Sequence, residues 1–466
     1  MKTTLALIAF SLASAHGAFE IGIGSADITP PVGDGAKAVW IAGYGMGRSA
    51  TGVHDPLFAR ALVMRDTTAD QKIALVSVDL VGLQRPAVLR VREKLEGYDH
   101  VLVSSTHNHE GPDVVGMWGA NPMRSGVDPA YLDLVIAGCL KAVGEAEGKL
   151  ARASASYGTA VDDSLVGDSR LPKAYEGKMR VIRFAAEEDE TEALGLMVVW
   201  NCHPEAMGPR NRELTADFPA ATIAALEEKH DCPVAYFTGT VGGLLAPPDN
   251  RIKDAAGKVL HEGDWEYMRL YGEAVAALAD KALAGAESIK LTPFRIAAKA
   301  VQLPVENKLY RAGFTAAILQ RDAYVFEGPA KRGAPLHKIK HALRTMAIET
   351  EVAYLRLGDL SVAAIPGEIY PELVTGEFQD PVDPGADFPD AELEPTVTSL
   401  MPGDPWMVLG LAYDEVGYII PKRQWDVKPP FAYGREKSQY GEVNSCGPDT
   451  ARILLEALKA RVSEIE

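Results

Sequence analysis

The chain has 466 residues, 47% hydrophobic and 24% charged, which excludes a disordered chain and supplies material for a large core. Lys and Arg total 47 against 64 Asp and Glu, a formal charge of −17 with no basic run. That balance excludes a nucleic-acid binder and charge-driven docking on anionic membranes.

Lys2 precedes an apolar stretch over residues 5–12, and Ala13-Ser14-Ala15, or alternatively His16-Gly17-Ala18, offers small residues for cleavage. The pattern predicts a signal peptide over residues 1–18 and a secreted or periplasmic protein. No later run reaches the roughly 18 apolar residues that a membrane span needs, so no transmembrane segment is expected. Export permits disulfides. Cys139, Cys202, Cys232 and Cys446 allow three pairings, among which sequence does not choose, and buried free thiols are the alternative. No CxxC occurs, which disfavours a thiolate zinc site.

Strands are predicted over 73–80 and 101–105, with a helix over 86–95 between them. A helix over 128–147 follows, with Asp128 as N-cap and Pro129 in its first turn. Then come a strand over 193–200, a helix over 219–229, a strand over 234–238, a helix over 267–284 and a strand over 296–303. Residues 352–357 and 361–365 form a hairpin through Gly358-Asp359, and a helix over 450–465 closes the chain. The alternation gives an α/β class, or mixed α+β, with mixed sheets flanked by helices. One large domain over 19–466 is expected, with residues 379–404, rich in Pro, Asp and Glu, as a surface loop.

The sharpest motif is Thr106-His107-Asn108-His109-Glu110-Gly111-Pro112, directly after a buried strand. Two histidines two apart point to one side if the chain stays extended. Asn201-Cys202-His203-Pro204-Glu205 and Ile365-Pro366-Gly367-Glu368 also follow apolar strands. Imidazoles and a carboxylate at strand ends suit zinc with an open position for water.

Several segments resemble, in order, the N-terminal catalytic domain of the neutral/alkaline, non-lysosomal ceramidase family. They are Ile23-Gly24-Ser25-Ala26-Asp27-Ile28-Thr29-Pro30-Pro31, Ala42-Gly43-Tyr44-Gly45, Thr51-Gly52-Val53-His54-Asp55, Ser77-Val78-Asp79, the segment from Thr106 to Pro112, Ile365-Pro366-Gly367-Glu368, and the stretch from Gly410 to Ile419. The resemblance implies one Zn²⁺ per chain held by His107, His203, Glu368 and Tyr418. His109 would lie beside the metal as a catalytic residue, hydrogen-bonding the substrate or the attacked carbonyl. Either His109 or Tyr418 would serve as general acid. The implied reaction is hydrolysis of an N-acyl amide bond, of ceramide or a related lipid or small molecule, by a zinc-activated water.

Three departures bear on the substrate. Ala246 stands where the family has serine, Glu110 replaces the serine after the second histidine, and the C-terminal β-sandwich domain that the resemblance would add is not expected here. Glu110, Arg210, Asn211 and Ala246 are candidate substrate contacts. A ceramide enzyme needs an apolar channel, whereas a polar substrate needs a wetter pocket, lined by groups such as Arg48, Arg210, Asn211 or Arg212. The alternatives are therefore a metal hydrolase of a different amide or ester, or a secreted binding protein on the same fold.

Overall fold

The structure, a computed structural model, describes residues 19–336 and 346–466; the predicted signal lies outside them. Strand period explains the architecture. In Phe58–Asp66, Leu62 and Met64 point to one face and Ala61 and Val63 to the other; in Gln71–Val78, Ile73 and Leu75 alternate likewise with Ala74 and Val76. Both faces are buried, which is why these strands read as near-continuous apolar runs.

The first sheet has nine strands. Its order across is Val234–Thr238, Ala193–Trp200, Lys178–Ala186, Ala151–Val161, Phe19–Asp27, Phe58–Asp66, Gln71–Val78 and His100–Ser105, with Glu287–Ile289 added to Ala151–Val161. The second has six strands: Arg332–Pro335, Tyr324–Phe326, Met346–Leu357, Leu360–Ala364 and Trp406–Leu409, with Phe294–Pro304 on the other side of Met346–Leu357. One apolar cluster lies between the sheets and joins Leu102, Phe184 and Phe237 of the first to Leu355, Val362 and Leu409 of the second. Helix Pro129–Glu147 packs on the outer face of the first sheet, as do the mutually packed helices Phe218–His230 and Trp265–Ala284. Helix Thr450–Ile465 covers the second sheet. The layers are therefore helix, sheet, sheet, helix, a mixed α/β arrangement.

The predicted helices and strands form within a few residues of their expected bounds, and Asp128 caps helix Pro129–Glu147 by accepting from Ala130 N at 3.2 Å. Five strands of the first sheet have no counterpart among the predicted elements: Phe19–Asp27, Phe58–Asp66, Ala151–Val161, Lys178–Ala186 and the short Glu287–Ile289. Phe19–Asp27 carries Gly22 and Gly24, weak strand formers, which lie where the helix Pro129–Glu147 backbone comes closest. Lys178–Ala186 buries Arg180, whose charge breaks the apolar signal and is met by Glu176 at 2.5 Å. All four cysteines are free and buried.

Most neighbouring strands in the first sheet are antiparallel, but the outermost pair at each end is parallel. In the second sheet Leu360–Ala364 and Trp406–Leu409 are parallel as well. Polar loops leave the C-terminal ends of these parallel strands, the position at which α/β folds open a crevice. The two ends of the first sheet meet there: Thr238 Oγ1 donates to Thr106 O at 2.7 Å. The segment after Trp406–Leu409 ties both sheets together, with Gly410 N donating to Thr238 O, Tyr413 N to Val103 O and Ala412 N to Ile365 O.

Candidate metal centre

Strand His100–Ser105 ends, and His107 turns the chain with φ of +66°, a left-handed conformation uncommon for a non-glycine residue. The two histidines thus reach one site through a turn, not through the extended alternation that the spacing suggested. The loop is pinned by Thr106 N to Val78 O, Asn108 N to Leu80 O, and Asn108 Nδ2 to Asp79 O and Thr215 O. His107 Nδ1 then bonds Val81 O at 2.6 Å. After Ala193–Trp200, His203 is held twice by one carbonyl: its backbone N donates to Leu245 O at 2.8 Å and its Nδ1 bonds the same oxygen at 2.7 Å. The two-residue strands Glu368–Ile369 and Tyr418–Ile419 run parallel and place Glu368 opposite Tyr418.

The inward atoms converge. Glu368 Oε2 lies 3.0 Å from His203 Nε2 and 3.3 Å from His107 Nε2, and His109 Nε2 lies 3.3 Å from His107 Nε2. Because backbone carbonyls occupy Nδ1 of His107 and His203, each ring carries its proton there and turns a lone pair inward. His109 repeats the pattern with a carboxylate: its Nδ1 lies 2.8 Å from Glu205 Oε1. Four lone-pair donors therefore face one another, an arrangement that repels itself unless a cation or proton sits between them. The chemistry of this donor set fits a divalent metal held by imidazole and carboxylate. Donor atoms of His107, His109 and His203, and those of His107, Glu368 and Glu415, lie within 4.8 Å of one another.

The charge balance shows the same tension. Burial opposes a charged His107, but Glu368 overcomes it and raises its pKa to about 9. Burial likewise opposes ionised Glu368, and His107 and His203 reverse this, holding it well below the ordinary carboxylate range. Burial and then Glu368 push Glu415 up to about 8. Burial lowers His109 to about 4, only partly offset by Glu205, so His109 is neutral at neutral pH. The Tyr418 ring is buried 6.4 Å from His203, and burial, then Glu368, raises its hydroxyl.

The His109 ring is clamped from several sides. Tyr44 packs edge-on at 5.2 Å. Gly43, at φ +98°, lies so close that a Cβ there would stand 2.3 Å from His109 Cγ. Arg48 donates through Nη2 to His109 O and Ala42 O, and its Nη1 lies 3.4 Å from Glu110 Oε2. Asn211 Nδ2 donates to the same Glu110 oxygen at 2.8 Å.

A cavity of about 940 Å³ opens onto His109, His203 and Tyr418. Its wall is chiefly apolar, including Met46, Met117, Trp118, Leu244, Leu309 and Leu319. Of the four candidate substrate contacts, Ala246 lines it. Glu110 and Asn211 sit instead in the buried polar cluster with Arg48, behind His109, and Arg210 also lies off the lining. Arg212 is taken up by Ser49, through its carbonyl and hydroxyl. Among the described residues no Lys or Arg lines this cavity.

Residues 19–245 match the family model for neutral/alkaline non-lysosomal ceramidase, N-terminal. Over this stretch the chain is similar to the neutral/alkaline non-lysosomal ceramidase family. The neutral ceramidase of Pseudomonas aeruginosa is 24% identical over 271 residues, covering 53% of this chain and 39% of that protein. The neutral ceramidase of Oryza sativa subsp. japonica is 23% identical over 250 residues, covering 48% of this chain and 31% of that protein. The matched part of the chain thus spans less than half the length of these curated relatives. Across 96% of the chain the fold is that of the neutral ceramidase crystal structure from Pseudomonas aeruginosa, at a TM-score of 0.72, 16% identity and 74% of that chain. A ceramidase complexed with C2 gives a TM-score of 0.67 at 16% identity, over 96% of this chain and 75% of that one. The ceramidase family match contains His107, His109 and His203; Glu368 and Tyr418 lie beyond it, within the span of the shared fold.

Two acids at this site escaped the sequence reading. Glu205 stands two residues after His203, inside a quoted motif, and Glu415 three before Tyr418. The motif around His203 was a signal for Glu205. Nothing separates Glu415 from an ordinary loop acid until the fold sets it beside Glu368.

Proposed function

We propose that this chain hydrolyses the N-acyl amide bond of a ceramide-like lipid, with one zinc ion held by His107, His203, Glu368 and Tyr418. The observation that carries the reading is the convergence of imidazole and carboxylate lone pairs at the floor of an apolar cavity. A zinc ion bound there would supply Lewis acidity and a water ionised near neutral pH.

The chain's own groups do the remaining work. Val81 O and Leu245 O fix the rings of His107 and His203 with Nε2 inward. Glu205, 2.8 Å from His109 Nδ1, favours the ring proton on that nitrogen, so His109 Nε2 begins as a proton acceptor. In this reading His109 takes a proton from the attacking water and returns it to the leaving amine. Tyr418, buried beside His203 and set opposite Glu368, completes the ligand set that would hold the zinc. The apolar wall receives acyl and alkyl chains, and the absence of lining Lys or Arg among the described residues favours a lipid over an anionic polar substrate. We read residues 19–466 as one catalytic unit, because Glu368 and Tyr418 complete a site begun by His107 and His203.

The test is elemental analysis of wild type beside His107→Ala, with hydrolysis of ceramide and of short-chain N-acyl amides measured on both. About one zinc per wild-type chain is expected, lost together with hydrolysis in the variant while circular dichroism is unchanged. Full metal and activity in His107→Ala would refute the site, and activity on polar amides with none on ceramide would refute the lipid.

A further inference from the structure

The cavity mouth carries a feature that hydrolysis alone does not require. Among the described residues, eleven large apolar side chains are exposed, and five of them line this one opening: Met46, Met123, Leu309, Tyr440 and Val443. They are 42% to 76% exposed and come from four separate stretches of chain. Chance scatter of surface apolar residues needs no explanation, but a ring of them around a single hole marks an interaction site.

We propose that this rim docks on a lipid surface of zwitterionic or uncharged headgroups and draws the lipid substrate from it directly into the cavity. The inference rests on the lipid reading above and adds the partner. Three observations choose this occupant. Among the described residues the wall running inward from the rim holds no Lys, Arg or Asp, and the one carboxylate among those that line it, Glu205, sits against His109 at the floor. An apolar chain leaving a lipid layer therefore meets apolar surface without crossing a charged ring. Next, exposed Arg124 and Lys308 directly adjoin Met123 and Leu309 in sequence. Their long stems suit the boundary of an apolar patch, with the cations at the level of lipid phosphates. Finally, the chain's charge of −17 opposes strongly anionic surfaces, which leaves zwitterionic ones. A second protein copy on the same ring would cap the route to His109 and His203, whereas a lipid surface supplies what enters.

The experiment uses phosphatidylcholine vesicles without ceramide, so that the readout is independent of hydrolysis. Co-sedimentation is measured for the full chain, for the double variant Met123→Asp with Leu309→Asp, and for Val161→Asp, an exposed apolar position away from the mouth. Wild type and Val161→Asp are expected to bind alike, and the double variant about tenfold more weakly or less, because two inserted apolar side chains are replaced by carboxylates. Circular dichroism of each variant establishes that the fold is kept. A wild type that ignores the vesicles, a double variant that binds as well, equal loss in Val161→Asp, or self-association through these residues would each overturn the docking site. A protein that binds vesicles yet cleaves no N-acyl amide would instead overturn the proposed reaction.

Discussion

Glu205 decides the state of the residue nearest the proposed chemistry. Its Oε1 lies 2.8 Å from His109 Nδ1, and burial with two neighbouring histidines keeps that ring neutral despite the carboxylate. A carboxylate behind an imidazole fixes tautomer and orientation, and loss of such a partner commonly costs about 10–100-fold in activity or metal affinity. Glu205→Gln is expected to lower kcat by about 10–100-fold while metal content, read by elemental analysis, stays near that of wild type. Parallel loss of metal would make Glu205 part of the metal-holding group instead. The sequence carried His107, His203 and Glu368 as candidates because each follows an apolar strand within a recognisable motif. It did not carry Glu205 or Glu415, since an acid in a loop is ordinary until the partner that it faces is known. Glu110 went the other way. Its place in the motif pointed to substrate, but the fold buries it against Arg48 and Asn211, and burial raises its pKa to about 9.

At the scale of elements, helix Arg85–Arg92 is fastened to strand Met346–Leu357 by Glu351. Its Oε2 accepts from Arg85 at 2.5 Å and its Oε1 from Arg92 at 2.8 Å, all largely shielded from water. Removing the acid leaves two guanidinium groups without their shared partner, so Glu351→Gln is expected to cost about 3 kcal/mol in urea unfolding at neutral pH. The pH dependence has a definite sign. Burial works against the ionised form, but Arg92 and Arg85 prevail and hold the pKa below its ordinary value of 4.5. Stability from a depressed carboxylate is present above the unfolded-state value and lost as pH falls through the folded one. The gap between wild type and Glu351→Gln should therefore narrow as urea curves are taken from pH 7 to pH 3, and an unchanged gap would refute the assignment. No periodicity of Met346–Leu357 announces this contact, because its partners lie more than 250 residues away in sequence. Strands with strong alternation or apolar runs were legible, and those diluted by glycine, alanine or a buried arginine were not.

For the whole molecule, the proposed ligands come from two sheets, so metal binding and sheet packing are one equilibrium. His107 and His203 follow strands of the first sheet, and Glu368 and Tyr418 follow strands of the second. Gly410 sits where the sheets touch. Its N donates to Thr238 O, its O accepts from Ser104 Oγ at 2.8 Å, and a Cβ on it would stand 2.2 Å from Gly239 O. No flexible side chain is there to yield, so the backbones themselves must part. A ligand that binds only the folded state stabilises it by about 4 kcal/mol at a thousandfold excess over its Kd. Chelation of wild type is thus expected to lower Tm by several degrees, and added zinc to restore it. Gly410→Ala touches none of the proposed ligands, yet it should weaken zinc binding in calorimetry and shrink the zinc-dependent rise in Tm, because widening the sheet contact separates the histidine pair from Glu368 and Tyr418. A variant that is less stable but binds zinc as tightly as wild type would show that the centre holds its own geometry without the contact between the sheets.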